Sequence, residues 1–578
     1  MELGAKARAA LLLWRLLEGS EAPAVRPICA QKKPFPFESD AGSRLPRSTP
    51  EAEGVDPEML YAFIDAASSD KREDIHSMTV LRHGKVIAEH SCMPYDREIW
   101  HVTHSLCKTV TALAVGILIG DGKLRVEDRV CDLFPKVHTA SWYKNLTVFH
   151  LLTMTSGASF NEVRSVTEHD WVRGFLSSPP LFPVGERFHY NSMNSYMLAT
   201  VICAVTGETL SGFLEKRLFS EMGIRRFRWE VCPRGIEKGG WGLYLLQEDA
   251  AKLGQLILNR GKWNGKQLVP GGYIRDMCLW HSDPPEKLSR SGYGYQCWLW
   301  ERENSVRMSG LFGQTVLVVP DKDMVLAVNA GSNRIFGEAG YLCAFSKLLN
   351  DGVFDHSLII SRPPSAQKPS AERKSVPCPH GGASVVHGYT VQKRGIRLLP
   401  VFLQLSGNNY TGGIDRISFL RIGAGLFIDI YEGVERNRLE VGFRAPVMNR
   451  VTANRETFLV ACSGKWGRKG SSPCLSVRVS FLEEACTRYF EFAFLTENTV
   501  HIRLYETPGR QVLSEGASVL FDDPLMVRRF SGGRVADRIK SLCEPECTGW
   551  RTKKAAPEFR MPQRGYGLKG EAGRARPR

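Results

Sequence analysis

The chain has 578 residues, too many for one ordinary core, so two or more domains are expected. A composition of 43% hydrophobic and 24% charged residues is that of a soluble globular protein and excludes collagen-like, coiled-coil and generally disordered classes. The net charge is +15, and residues 526–578 carry about 14 Lys and Arg against about 5 Asp and Glu. The basicity therefore belongs largely to a tail, read as solvated rather than as a nucleic-acid or membrane contact because it lacks interleaved aromatics.

The fifteen cysteines are odd in number and follow no repeated spacing. They read as free thiols of a reducing compartment. Cys543 and Cys547 have no second pair with which to complete a zinc site. The short apolar run Ala9–Trp14 lacks the basic start and cleavage site of a secretory signal, and no run of 18 apolar residues occurs. A cytoplasmic location, no transmembrane helix, no metal and no cofactor are the expectation.

In chain order, residues 1–48 read as a poorly structured leader. Asp56-Pro57-Glu58 opens a helix, with Leu60, Phe63, Ile64 and Ala67 at helical spacing. Ser77–Arg82 and Lys85–His90 flank His83-Gly84 as a hairpin. Thr315–Val319 and Met324–Val328 are strands joined by the turn Pro320-Asp321-Lys322-Asp323. These patterns place one domain over residues 50–350. Residues 361–395 read as a linker. From 396 to 525 short β-prone runs recur (417–420, 427–430, 458–460, 475–481, 489–494 and 500–505), which predicts a β-rich barrel or sandwich. Residues 526–578 form the basic tail.

Ser105-Leu106-Cys107-Lys108 is one of at least four SxxK sequences. The others are Ser68/Lys71, Ser141/Lys144 and Ser365/Lys368, and context separates them. After Ser105, residues Val110, Leu113, Ala114, Ile117 and Leu118 share one helix face, and Gly120-Asp121-Gly122 ends the helix. Ser105 thus stands at a helix start, where free N–H groups and the dipole favour negative charge. Lys108 lies one turn on along the same face, where an apolar setting makes its neutral amine accessible as a base for the serine.

With His150-Leu151-Leu152-Thr153-Met154-Thr155-Ser156-Gly157, Pro183-x-Gly185-x-x-Phe188-x-Tyr190-Asn191-Ser192, Gly242-Leu243-Tyr244 followed by Asp249, Lys252 and Gly254, and Tyr293-Gly294-Tyr295 before Trp298, the sequence resembles the class C β-lactamase-related serine hydrolases over residues 50–350. Esterases, peptidases and 6-aminohexanoate-oligomer hydrolases are among the relatives, and the esterase and oligomer-hydrolase types look closest. The resemblance implies an α/β fold of the β-lactamase/transpeptidase type, with an antiparallel sheet flanked by helices plus a helical lobe, followed here by the smaller β-rich domain. It implies catalysis by Ser105, Lys108 and Tyr190 through an acyl-enzyme, without metal or cofactor. It further implies an oxyanion hole from the N–H groups of Ser105 and Leu311.

Two departures stand out. The family's Tyr-x-Asn is Tyr190-Asn191-Ser192, which puts Ser192 where a substrate-holding amide is expected. Its Lys-Thr-Gly or His-x-Gly triplet is best matched by Met308-Ser309-Gly310, with Gly310 leaving room for substrate. Met308 removes a cation that would bind a β-lactam carboxylate, which favours neutral esters or amides. The expected partner is thus a small ester or amide, not nucleic acid; oligomeric state is open. The rival reading is a non-catalytic scaffold that keeps the fold, favoured by Met308 and Ser192.

His101-x-x-His104 reads as packing before the nucleophile. Gly261–Lys266 reads as a strand turn, one residue short of a P-loop. Asn145-Leu146-Thr147 and Asn409-Tyr410-Thr411 are sequons expected by chance.

Overall fold

The computed structural model describes residues 35–354 except 167, 287–291, 301–303 and 335–338, the strand at 387–390, residues 413–509 except 423, 424 and 454, and residues 512 and 543–551. Helix α1 (Pro57–Ser69) starts where expected. The Asp56 carboxylate accepts from the N–H groups of Glu58 and Met59, and Leu60, Phe63, Ile64 and Ala67 form its buried face. Strands β1 (Ile75–Arg82) and β2 (Lys85–Ser91) form the hairpin, with both turn residues, His83 and Gly84, at positive φ, the geometry that two-residue hairpins favour.

The α/β region is completed by β3 (His101–Val102), α2 (Cys107–Gly120), α3 (Met193–Thr206), β4 (Phe227–Trp229), β5 (Leu243–Leu245), α4 (Gln247–Leu258), β6 (Trp298–Trp300), β7 (Ser305–Gly310), β8 (Gln314–Val319), β9 (Met324–Ala330) and α5 (Gly340–Asp351). The main sheet runs β2-β1-β9-β8-β7-β6, antiparallel throughout. Strands β8 and β9 are buried at every position. Their alternate residues feed two cores. Val316, Val318, Val325 and Ala327 join the cluster around α2, α3 and α4, while Leu317, Val319, Leu326 and Val328 meet α1 and α5.

Helix α2 departs from the expected single stripe: every residue from Cys107 to Leu118 is buried. It is the central helix of the domain, so its hydroxyls must find partners inside. Thr109 donates to the Gln296 carbonyl and Thr111 to that of Gly239.

Residues 35–48 are not the poorly structured leader expected. Phe35 meets Trp100 edge-on, the Leu45 N–H donates to Glu248, and the buried Lys252 ammonium donates to the Ser43 carbonyl. The last two contacts lie some two hundred residues apart in sequence and the first 65, so no local pattern announces them. Residues 1–34 lie outside the described residues, as does most of the expected linker.

The second region is one ten-stranded antiparallel sheet: β10 (His387–Thr390), β11 (Ile414–Ile422), β12 (Gly425–Glu432), β13 (Glu435–Val441), β14 (Val447–Ala453), β15 (Glu456–Lys469), β16 (Ser472–Phe481), β17 (Thr487–Thr496), β18 (Thr499–Thr507) and β19 (Glu546–Arg551), in the order β13-β12-β11-β10-β19-β18-β17-β16-β15-β14. Strand β10 falls inside the expected linker and β19 inside the expected tail. Both are short, and both take their places through partners distant in sequence. The edge strands β13 and β14 are joined by amide side chains. Asn437 donates to the Thr452 carbonyl and accepts from its N–H, and Asn449 does the same with Glu440. These bonds mimic a strand ladder and cover edges that would otherwise template aggregation. Among the described residues no single helix is long and apolar enough to cross a membrane.

Candidate active site

Ser105 sits in a single 3-10 turn, His104–Leu106, that runs directly into α2. His104 precedes it with φ of 47°, a left-handed conformation that costs a non-glycine residue about 1–3 kcal/mol and so needs support from its surroundings. Ser105 is half-buried, whereas its neighbours from His101 to Thr111 are buried.

Lys108 is fully buried, yet its ammonium has three neutral acceptors: Ser105 Oγ at 2.9 Å, Ser192 Oγ at 2.8 Å and the Gly240 carbonyl at 2.6 Å. Tyr190 completes the group, with its ring centroid 5.1 Å from Lys108 Nζ. The Tyr190 ring stacks on Trp298 at 5.6 Å and meets Tyr293 edge-on. With Phe188 these rings make an aromatic wall on the Tyr190 side of Lys108.

Cys107, between Ser105 and Lys108 in sequence, is not available as a nucleophile. It is fully buried, and burial pushes its thiol up to about 12. Burial holds the His104 imidazole down at about 4, and the Lys108 charge acts in the same direction against Glu230. His101 lies 2.9 Å from His76 and 2.9 Å from the Val102 carbonyl. A carbonyl can only accept, so in the neutral ring Nδ1–H donates to Val102 and Nε2 accepts from His76. Both rings are pushed down, first by burial.

Two assignments need correction. Met308 was expected to line the substrate pocket, but it is 0% exposed and packs in the core shared with α2, opposite Val316 in register. Strand alternation instead leaves Arg307 and Ser309 half-buried. Gly310 was expected to leave room for substrate. A Cβ there would lie 2.2 Å from the Thr103 carbonyl oxygen and 3.2 Å from the Leu106 nitrogen. The glycine therefore lets β7 abut the turn that carries Ser105.

Ser192 holds Lys108, and its own N–H donates to Glu162. Asn191, between Tyr190 and Ser192, points away and clamps the carbonyls of Ala158 and Phe160. The sequence reading missed the Gly240 carbonyl. Its signal was the Gly239-Gly240 pair: Cβ atoms there would lie 2.6 Å and 2.7 Å from the carbonyls of Ser195 and Ser192, so only glycine brings this loop onto α3 and within reach of Lys108. Among the described residues no three His, Cys, Asp or Glu side chains converge as a metal site would require.

A buried lysine on a helix-start serine, between an antiparallel sheet and a helical lobe, defines a class. Residues 70–336 match the Beta-lactamase family model. Among characterised relatives, the 6-aminohexanoate-dimer hydrolase of Paenarthrobacter ureafaciens is 25% identical over 281 residues, covering 43% of this chain and 70% of that protein. Similar solved structures include a family VIII carboxylesterase (18% identity, TM-score 0.44, 51% of this chain and 97% of that one). Another is the octameric penicillin-binding protein homologue of Pyrococcus abyssi (17% identity, TM-score 0.42, 78% and 98%).

Proposed function

We propose that this protein cleaves a small ester or amide through an acyl-enzyme on Ser105. The observation that carries the reading is the Lys108 ammonium, buried against Ser105 Oγ, with neutral acceptors alone among the described residues. Lys108, in its amine form, takes the hydroxyl proton as Ser105 Oγ attacks the substrate carbonyl. The N–H groups of Ser105 and Leu311 receive the oxyanion. Tyr190 passes a proton to the leaving alcohol or amine, and water releases the acyl group by the reverse relay. The same contact weighs against the scaffold reading, because a fold kept without chemistry has no use for a buried cation on a serine.

With Met308 in the core, the preference for neutral substrates loses its original support. The aromatic wall of Tyr190, Tyr293 and Trp298, together with the exposed Leu311 side chain, favours an apolar acyl or alcohol group. The name of the curated relative, a 6-aminohexanoate-dimer hydrolase, agrees with a hydrolytic reaction. A fluorophosphonate should label the wild type at Ser105 and leave Ser105→Ala unlabelled. Turnover of p-nitrophenyl esters, short amides and a chromogenic cephalosporin would then rank the substrates. Equal labelling of both proteins would sink the assignment.

A further inference from the structure

The β16–β17 turn, residues 482–486, reaches out of the ten-stranded sheet and packs against the strand that leads to Ser105. Glu483 at its tip is fully buried. One carboxylate oxygen accepts from Trp100 Nε1 at 2.6 Å, and the other accepts from the Leu459 N–H at 2.8 Å. The Glu483 carbonyl accepts from the Val102 N–H at 2.8 Å. Its neighbour Glu484 accepts from the Tyr244 hydroxyl at 2.7 Å, and Tyr244 pairs with Val102 across β3 and β5.

The next residue, Thr103, gives both its N–H and its hydroxyl to the Leu243 carbonyl. Segment 100–103 is therefore held on one side by β5 and on the other by the turn, two residues before Ser105. The same region grips the opposite half of the site. Phe312, just after Leu311, packs in the core of the ten-stranded sheet with Ala485 and Cys486, and meets His104 edge-on at 5.1 Å.

We propose that Glu483 is a positioning residue for the nucleophile: through Trp100 and Val102 it sets the strand that delivers Ser105, and so makes the ten-stranded sheet part of the catalytic unit. This rests on the serine-hydrolase reading above. A buried carboxylate is costly where plain packing would serve. Here each oxygen takes an N–H from a different region, which an apolar side chain cannot do.

The test uses the full-length protein. Glu483→Gln keeps the shape but turns one acceptor into a donor facing an N–H group, so one arm of the clamp is lost. Trp100→Phe keeps the ring and removes only the donor. Each should lower kcat by roughly 10–100-fold, as expected for a small displacement of a reacting group, with KM within about twofold. Fluorophosphonate acylation of Ser105 should slow in parallel. The double variant should be little worse than either single one, since both break the same contact.

A merely structural role would lower the melting temperature without this split between kcat and KM, and would overturn the proposal. Acylation at the wild-type rate in both variants would do the same. Should Glu483→Gln fail to fold, Trp100→Phe decides alone. Failure of the wild type itself to acylate at Ser105 shows at the outset, and would overturn the hydrolase reading rather than the clamp alone.

Discussion

Two buried cations, one in each region of the molecule, are held in opposite ways. In the ten-stranded sheet, Arg488 is buried between two buried carboxylates, Glu432 at 2.9 Å and Glu506 at 3.2 Å. In the α/β region, Lys108 is as deeply buried and has two hydroxyls and a carbonyl. Among the described residues no carboxylate oxygen pairs with it. An ion pair compensates the loss of hydration; neutral dipoles do so less well. Under the proposed mechanism the contrast separates scaffold from chemistry: a cation set between counterions serves the fold, while one set against the Ser105 hydroxyl serves the reaction.

The sharpest way to break the contrast is Lys108→Met. If the lysine is there for chemistry, kcat/KM falls by about 10³-fold, within the range for removing a general base, while urea denaturation shows stability unchanged or raised because a desolvated charge is gone. Loss of stability with activity retained would make Lys108 structural.

Arg488→Leu should do the reverse. Removing the shared partner of two buried carboxylates costs about 3–5 kcal/mol, read as a lower denaturation midpoint. At a temperature where the fold persists, Ser105 acylation should change far less than in Lys108→Met.

A smaller effect tests how the sheet is closed. Asn437→Ala removes the amide bonds to Thr452 across the β13–β14 seam and should cost about 1–2 kcal/mol at about 1 kcal/mol per bond. Light scattering should also show more self-association through the uncovered edges. No change in either would mean that the seam needs no amide.

The gentlest lever is pH. His104 is held at about 4 in the folded chain against an ordinary value near 6.5, and burial also pushes His76 and His101 down. Between pH 6.5 and about 4 the unfolded chain binds protons that the folded chain refuses, so stability falls as pH is lowered through that window. Melting temperatures across it should show a shallower slope in His104→Gln, which removes one contribution and leaves those of the other depressed histidines, His90 and His150 among them. An unchanged slope would mean that His104 is accessible to protons in the folded state.

Much of this architecture was legible in sequence, and the reasons are local. Asp56 and the 60, 63, 64, 67 spacing specify α1 because capping and helical periodicity are neighbour effects. His83-Gly84 specifies the hairpin because few residue pairs accept two positive φ values. The SxxK helix was readable because Ser105 and Lys108 lie one turn apart, and the β-rich region because six of its strands carry their own patterns. The strands at 387–390, 435–441, 447–453 and 546–551 escaped. Each is short or mixed in polarity and is held by pairing with another strand.

The sequence by itself determined the resemblance of its first region to a known family, the serine and lysine one turn apart, and a β-rich second region. The tertiary structure alone decided which groups meet Lys108 and which side chains face the site. Met308 occupies a plausible motif position, yet lies in the core because the packing of β7 against α2, not the motif, decides where its side chain goes. The Gly240 carbonyl comes from 132 residues beyond Lys108, and Glu483 from 383 residues beyond Trp100. Local patterns record what a residue's near neighbours require of it. They are silent on contacts that form only when distant segments are packed into one interior, and the lysine's acceptors and the clamp on the nucleophile strand are of that kind.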